Sequence, residues 1–291
     1  MIRLTVPFLL LPLAFGADLS DFRMRTTYGD KFAARAVTRA AGGSGTIGTG
    51  TAGSGAPQRE VTVFAGDDAL PQMANGDGWK TQIFLVNLST VSMPFQVDFW
   101  TSAGGFWQLA ITGVGTGDQL TGTLGPGASV VFETSGQGAL AQGWGELTYD
   151  TNAGRIGGFG VFRQSVAGRP DFEAVAPLSS LFDKVLILPY DNTGGFTTGV
   201  ACVNGAGSAG ATITATIRDE AGATYATDTI QLPASGHTAF TMPARVPATA
   251  GRRGTVVFRS STSFFSALGL RFSPGGAFTS FNGLNTVALL Q

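Results

Sequence analysis

From residue 61 onward, apolar and polar positions alternate over short runs. In Phe95-Gln96-Val97-Asp98-Phe99 the apolar side chains share one side and the polar ones the other, because successive residues of a strand point to opposite faces. Thr212-Ile213-Thr214-Ala215-Thr216-Ile217-Arg218 alternates in the same way. The runs Ile83-Phe84-Leu85-Val86 and Val256-Val257-Phe258 are apolar on both faces, which predicts central strands. Turn signals separate the runs: Leu124-Gly125-Pro126-Gly127, Asp219-Glu220-Ala221-Gly222, Pro233-Ala234-Ser235-Gly236 and Ser273-Pro274-Gly275-Gly276. No long amphipathic helix follows residue 60. Short strands with a turn every 8 to 12 residues or so predict an antiparallel β-sandwich, with Phe95, Phe99 and Phe159 in its core.

The pattern occurs twice. Leu70-Pro71, a Gly-rich turn and Ile83-Phe84-Leu85-Val86-Asn87 are echoed by Leu188-Pro189, another such turn and Val200-Ala201-Cys202-Val203-Asn204, at an offset of 118 that falls to 117. Gly127, Gly145 and Gly160 then match Gly236, Gly254 and Gly269 at a constant offset of 109. The first copy therefore holds an insertion between Asn87 and Gly127, expected as an enlarged hairpin over residues 102–117. Such a repeat predicts an all-β protein of two tandem antiparallel β-sandwich (Ig-like) domains, residues 59–181 and 182–291. An outer-membrane barrel also uses short alternating strands, but two units of about 110 residues with different loop lengths fit it poorly.

Ahead of the repeat, Met1-Ile2-Arg3, an apolar stretch and Ala14-Phe15-Gly16 read as a secretory signal over residues 1–16. The apolar stretch is about a dozen residues, short of the roughly 20 a membrane-crossing helix needs. Residues 17–58 are expected to be a leader and linker outside the fold. A short helix is expected within residues 18–41, and residues 42–57 are almost wholly Gly, Ser, Thr and Ala. The chain is secreted, periplasmic or held at the cell surface on this reading, with no transmembrane segment after processing. Only 13% of its residues are charged and its formal net charge is −1, so nucleic acid is not an expected partner. The single cysteine, Cys202, allows no internal disulfide and sits in an apolar strand, where a buried small side chain is expected.

A set of motifs carries a resemblance. Leu70-Pro71-Gln72 with Gly78-Trp79, Gly160-Val161-Phe162-Arg163, Leu188-Pro189-Tyr190-Asp191-Asn192, Gly236-His237-Thr238-Ala239-Phe240, Arg252-Arg253-Gly254-Thr255 and Ala267-Leu268-Gly269-Leu270-Arg271-Phe272 together resemble a functionally uncharacterised two-copy β-sandwich repeat of exported soil-bacterial proteins. The resemblance covers about residues 64–282 and implies export and a β fold. It implies no activity.

Candidate chemistry is sparse. Windows of the form G-x-G-x-x-G begin at Gly43, Gly48 and Gly205, but none lies between a strand and a helix as a pyrophosphate site requires. His237 is the only histidine and is expected to be structural, near the start of a strand with a ring nitrogen bonded to backbone. There is no G-x-S-x-G elbow. Glu133, Glu146, Asp150, Asp171, Glu173, Asp219 and Glu220 are the carboxylates a glycoside hydrolase could draw on, and most fall in turns or at strand ends. Asn75-Gly76-Asp77-Gly78 and Asp191-Asn192-Thr193-Gly194 offer oxygens to calcium without the alternating acids of a dedicated loop. Arg252-Arg253 reads as a solvated turn. No catalytic residue, metal or cofactor is assigned.

Aromatic residues remain. Trp79, Trp100, Trp107 and Trp144 all fall in the first copy. Trp107 lies in the insertion and Trp79 follows a Gly-rich turn, so these two are the expected ligand-binding residues if their rings are exposed. The sequence thus predicts an exported, non-enzymatic protein for adhesion, envelope architecture or binding of an extracellular polymer, with a polysaccharide or a cell-surface protein as partner. A carbohydrate-binding module using Trp79 and Trp107 is one alternative. A carboxylate-dependent glycoside hydrolase at the domain junction is the other.

Overall fold

The structure, a computed structural model, describes residues 19–26, 66–181, 183–205, 209–260 and 265–285. The expected secretory signal, the Gly-rich stretch and the first two glycine windows lie outside the described residues. So do residues 18 and 27–41 of the stretch expected to hold a short helix, and part of the window that begins at Gly205.

The fold is all-β and antiparallel. In the first half, β2 (Gly66–Asn75), β3 (Trp79–Asn87), β4 (Met93–Thr101), β7 (Gln119–Leu124), β8 (Ser129–Glu133), β9 (Ala141–Tyr149), β10 (Ile156–Gln164), β11 (Phe172–Pro177) and β12 (Ser179–Ser180) form the framework. Three shorter strands join them: β1 (Arg23–Arg25), and the hairpin of β5 (Leu109–Ile111) and β6 (Gly115–Gly117). The larger sheet runs β1-β7-β4-β9-β2-β12 and the smaller β11-β10-β3-β8. The second half contains β13 (Val185–Asp191), β14 (Thr197–Asn204), β15 (Ala211–Asp219), β16 (Thr224–Leu232), β17 (His237–Thr241), β18 (Arg253–Ser260), β19 (Phe265–Phe272), β20 (Phe278–Asn282) and β21 (Leu284–Asn285). Its sheets run β16-β15-β18-β13-β21 and β17-β14-β19-β20. Without β1 and the β5–β6 hairpin, the first half has the same strand order as the second.

Each half packs its two sheets around a core of its own. Leu70, Ile83, Phe95, Phe99, Phe132 and Leu147 belong to the first core; Leu188, Val200, Cys202, Ile213, Val256 and Phe258 belong to the second. A buried asparagine braces equivalent places in both. Asn87 Nδ2 donates to the Leu124 carbonyl at 3.0 Å, and Asn204 Nδ2 donates to the Pro233 carbonyl at 2.9 Å. Each bond ties the end of the second framework strand to the turn that follows the fourth. Turns after β7, β15, β16 and β19 close through backbone bonds from Ala128 to Gly125, Gly222 to Asp219, Gly236 to Pro233 and Gly276 to Ser273. The one α-helix among the described residues, α1 (Met242–Arg245), is a single turn.

Two expectations require correction. Part of the leader belongs to the fold: β1 pairs with β7 in register Arg23↔Thr121, Met24↔Leu120 and Arg25↔Gln119. A short 3-10 turn, Leu19–Asp21, precedes it, and Phe22 enters the first core at 4% exposure. Its ring lies edge-on to Phe132 with centroids 5.0 Å apart. Burial of one such side chain is worth about 1.5–3 kcal/mol. Phe95 and Phe99 are core residues, whereas Phe159 is 37% exposed. It stacks on Phe84, centroid to centroid 4.7 Å, on the outer face of the smaller sheet. Ile156 and Phe162, not Phe159, take the buried face of β10.

Candidate binding groove at the junction of the two halves

The second half sets the outer face of β14 and β19 against the first half. These strands are buried on both faces over most of their length, unlike β3 and β10, their counterparts. Ala201, Leu268, Leu270 and Phe278 pack there with Phe162, Ala174 and Ala176 of the first half. Beside this cluster, Trp100, Trp144 and Ala69 pack with Val203 and Leu181.

Polar contacts lock the junction. Trp144, fully buried, donates from Nε1 to the Ser235 carbonyl at 2.8 Å. His237, only 3% exposed, reaches across with both ring nitrogens. Nε2 lies 2.9 Å from Gln72 Oε1 and Nδ1 lies 3.0 Å from Ser102 Oγ. Gln72 Oε1 can only accept, so Nε2 carries the proton and Nδ1 accepts from the Ser102 hydroxyl, which also lies 3.2 Å from the Gln142 carbonyl. This is a neutral imidazole with both nitrogens satisfied. Burial pushes its pKa down to about 4. The His237 amide also donates to the Ser102 carbonyl at 3.1 Å. His237 is structural, as expected, but its ring partners are side chains of the other half and not backbone.

The start of the insertion makes this contact possible. Gly104 has φ +85°, and a Cβ there would lie 1.9 Å from the Ala234 carbonyl oxygen. Only glycine allows the two backbones to approach so closely. The rest of the insertion is the β5–β6 hairpin, which matches the sequence expectation for residues 102–117.

A groove of about 230 Å3 opens along the same junction. Trp79 and Phe162 wall it from the first half, Phe240 and Phe272 from the second, and Gln142 and Thr241 supply polar groups. Trp79 is half-buried. Its indole stacks on Phe278 and Phe162 at centroid distances of 5.6 and 6.4 Å, which fixes its orientation while part of it lines the groove. Trp107, the other expected ligand-binding residue, is 7% exposed and belongs to the first core. A ring so enclosed has no face to offer a ligand, so of the expected pair only Trp79 lines the groove. Gln72, Phe240 and Phe272 occur in the sequence motifs with no binding role expected of them, and Gln142 lies outside those motifs. They come together only through packing between the halves.

The remaining candidates are engaged elsewhere. Glu133 binds Lys80 Nζ and Gln82 Nε2, each at 2.8 Å, with Arg163 at 3.5 Å. Burial raises its pKa, but these donors and charges together hold it below the usual value. Glu146 is buried opposite Asp98 across β4 and β9, and both Asp98 oxygens accept from the amides of Gln96 and Gln119. Neither carboxylate is among the groove's lining residues. In the Asn75 turn, Asn75 Oδ1 accepts from the Gly136 amide and Nδ2 donates to the Gln137 carbonyl. In the Asp191 turn, a hydrogen bond from the Thr193 hydroxyl leads the causes that hold the Asp191 carboxyl at about 2. Burial opposes it and Arg271 adds to it. Among the described residues no three His, Cys, Asp or Glu side chains are grouped to hold a metal ion. No helix among them is long and apolar enough to cross a membrane.

A second, more open depression of about 530 Å3 lies at the end loops of the second half, around Asp219, Glu220, Arg252 and Arg253. Arg253 donates to Thr193 Oγ1 at 3.1 Å and pairs with Glu220 at 3.8 Å, while Arg252 lies over the Tyr225 ring at 4.8 Å. These arginines are held by the neighbouring β13–β14 and β15–β16 turns and by β16. Burial and the Asp68 carboxylate push Tyr149, in the first core, up to about 12. No protein-family model matches the chain, and a search of curated proteins finds no match.

Proposed function

We propose that this is an exported, non-enzymatic protein of two tandem Ig-like β-sandwich domains that binds an extracellular polysaccharide in the groove between its halves. The observation that carries this reading is the position of Trp79, held by two aromatic neighbours on the wall of a groove whose lining is aromatic on both sides and polar at Gln142 and Thr241. Flat aromatic surface suits the C–H face of a sugar ring, and amide and hydroxyl groups suit its hydroxyls. At about 230 Å3 the groove is smaller than the roughly 300–1,000 Å3 pockets that enclose a drug-sized ligand. It suits one ring of a chain that continues into solvent. Burial of the contact between the halves supports a binding role, because a site walled by two domains keeps its geometry only if they are fixed to each other.

The test is a pull-down and tryptophan-fluorescence titration against a panel of soluble and insoluble polysaccharides, with Trp79→Ala and Gln142→Ala. Gln142 is exposed, so its truncation spares the fold. Saturable binding that both substitutions weaken is the expected result. Binding unchanged in both, or no binding to any polymer by the intact chain, rules out this groove as a polysaccharide site.

A further inference from the structure

The two features that the second half lacks, β1 and the β5–β6 hairpin, meet in the first half. Leu19 and Met24 pack against the first core alongside buried Phe22, and the β1 backbone runs along the free edge of β7. The Asp118 amide donates to the Arg25 carbonyl at 3.0 Å. A Cβ on Gly122 would lie 2.1 Å from the Phe22 ring, and one on Gly117 would lie 2.3 Å from the Arg25 carbonyl oxygen. Glycines in β7 and β6 therefore leave the room that the segment fills. This is a strand-accepting groove with an apolar anchor pattern of Leu19, Phe22 and Met24, the mode in which an extended peptide adds to a sheet edge.

The corresponding edge of the second half meets a side chain among the described residues, not a strand. Arg245 of α1 donates from Nη2 to the Thr229 carbonyl of β16 at 2.8 Å and pairs with Asp228. An uncovered edge invites pairing with another chain, and in the first half β1 covers that edge. In the first half the block is a separate segment, joined to β2 only through residues 26–65.

We propose that the β7 edge accepts the Leu19–Arg25 segment of a second copy of this chain, so that the protein assembles by exchange of its N-terminal strand. Every contact made within one chain is reproduced between two, and only the tether differs. Exchange of an identical element is a low-cost route to assembly for that reason. The tether favours the closed form by raising the local concentration of the segment, an advantage that falls as a tether lengthens. Assembly is therefore expected at high local protein concentration, as at a crowded surface or after unfolding and refolding together. The inference is independent of the polysaccharide reading, since the β7 edge and the junction groove share no residue.

The test mixes two full-length variants, one carrying Arg23→Cys and the other Thr121→Cys, positions directly opposite in the β1–β7 register. The mixture is unfolded, refolded together over a range of concentrations and oxidised with glutathione disulfide. A double variant with both cysteines in one chain is the geometric control. A covalent heterodimer that increases with concentration is the expected result. Adding Phe22→Ala to the Arg23→Cys chain should lower its yield by more than about tenfold. A bond within the double variant and no heterodimer at any concentration overturns the proposal. Absence of both bonds overturns it too, because β1 would then not occupy the β7 edge in solution.

Discussion

His237 Nε2 of the second half donates to Gln72 Oε1 of the first across 2.9 Å, inside a junction where the ring is 3% exposed. The bond requires the neutral imidazole to keep its proton on Nε2, and a second proton would have to enter on Nδ1, where burial opposes the charge.

Stability is therefore expected to depend on pH through this residue. The folded pKa of about 4 lies below the ordinary value of 6.5, so the unfolded chain binds more protons than the folded one between these values. The contribution is complete above pH 6.5, declines as pH falls towards 4 and is fully lost below it. Two and a half units correspond to about 3 kcal/mol. Urea midpoints of the protein and of His237→Gln, compared from pH 3.5 to 8, should converge as pH falls. A constant gap across that range would show that His237 does not titrate in the junction.

Trp144→Phe keeps the packing against Trp100, whose ring centroid is 6.1 Å away, but removes the donor to the Ser235 carbonyl. A buried acceptor left without its partner costs about 1–3 kcal/mol. Ser235 is held at φ +53° next to this bond, so the turn that presents its carbonyl is already constrained and has little freedom to find another donor. The expected loss of stability is measurable by urea denaturation at neutral pH. A variant as stable as the parent would mean that water replaces the indole.

The duplication was legible because it rests on backbone requirements that leave marks in sequence. Asn87 and Asn204 recur because each braces a hairpin with its amide, and the turn glycines recur with them. Phe159 misled because Gly158 and Gly160 beside it remove the apolar signal from the buried face of β10, so the phenylalanine is the only large side chain left in the middle of the strand. Phe22 was missed because β1 has three residues, too few for a period. The junction was hidden for a different reason. Gln72 and His237 are 165 positions apart, and no local pattern records which outer sheet face the other half of the chain will cover.

Cys202 is expected to be inert in the native protein. It is fully buried in β14, and burial pushes its thiol up to about 12, so almost no thiolate exists at pH 8. Alkylation with iodoacetamide, followed by mass, should be negligible in buffer and complete in 6 M guanidinium. Rapid native labelling would show that the core of the second half opens on the timescale of the reaction.

Gly104→Ala is the substitution most selective for the junction. The new methyl would meet the Ala234 carbonyl oxygen at 1.9 Å, and the residue would retain φ +85°. The left-handed backbone alone costs an L-residue about 1–2 kcal/mol, and backbone against backbone cannot be relieved by a change of rotamer. The insertion must therefore lift from the Pro233–His237 turn, which weakens the bonds of Ser102 to His237 and of Trp144 to Ser235 together. Combined with His237→Gln, the losses should be less than additive, since one displacement removes what both variants disturb. Because the groove takes walls from both halves, polysaccharide affinity should fall in Gly104→Ala even though Trp79 and Gln142 are intact. Urea denaturation of the two single variants and the double variant, with the binding titration run on each, checks both expectations. Strict additivity would mean that the insertion and His237 act independently, and unchanged affinity would mean that the groove does not depend on how closely the halves meet.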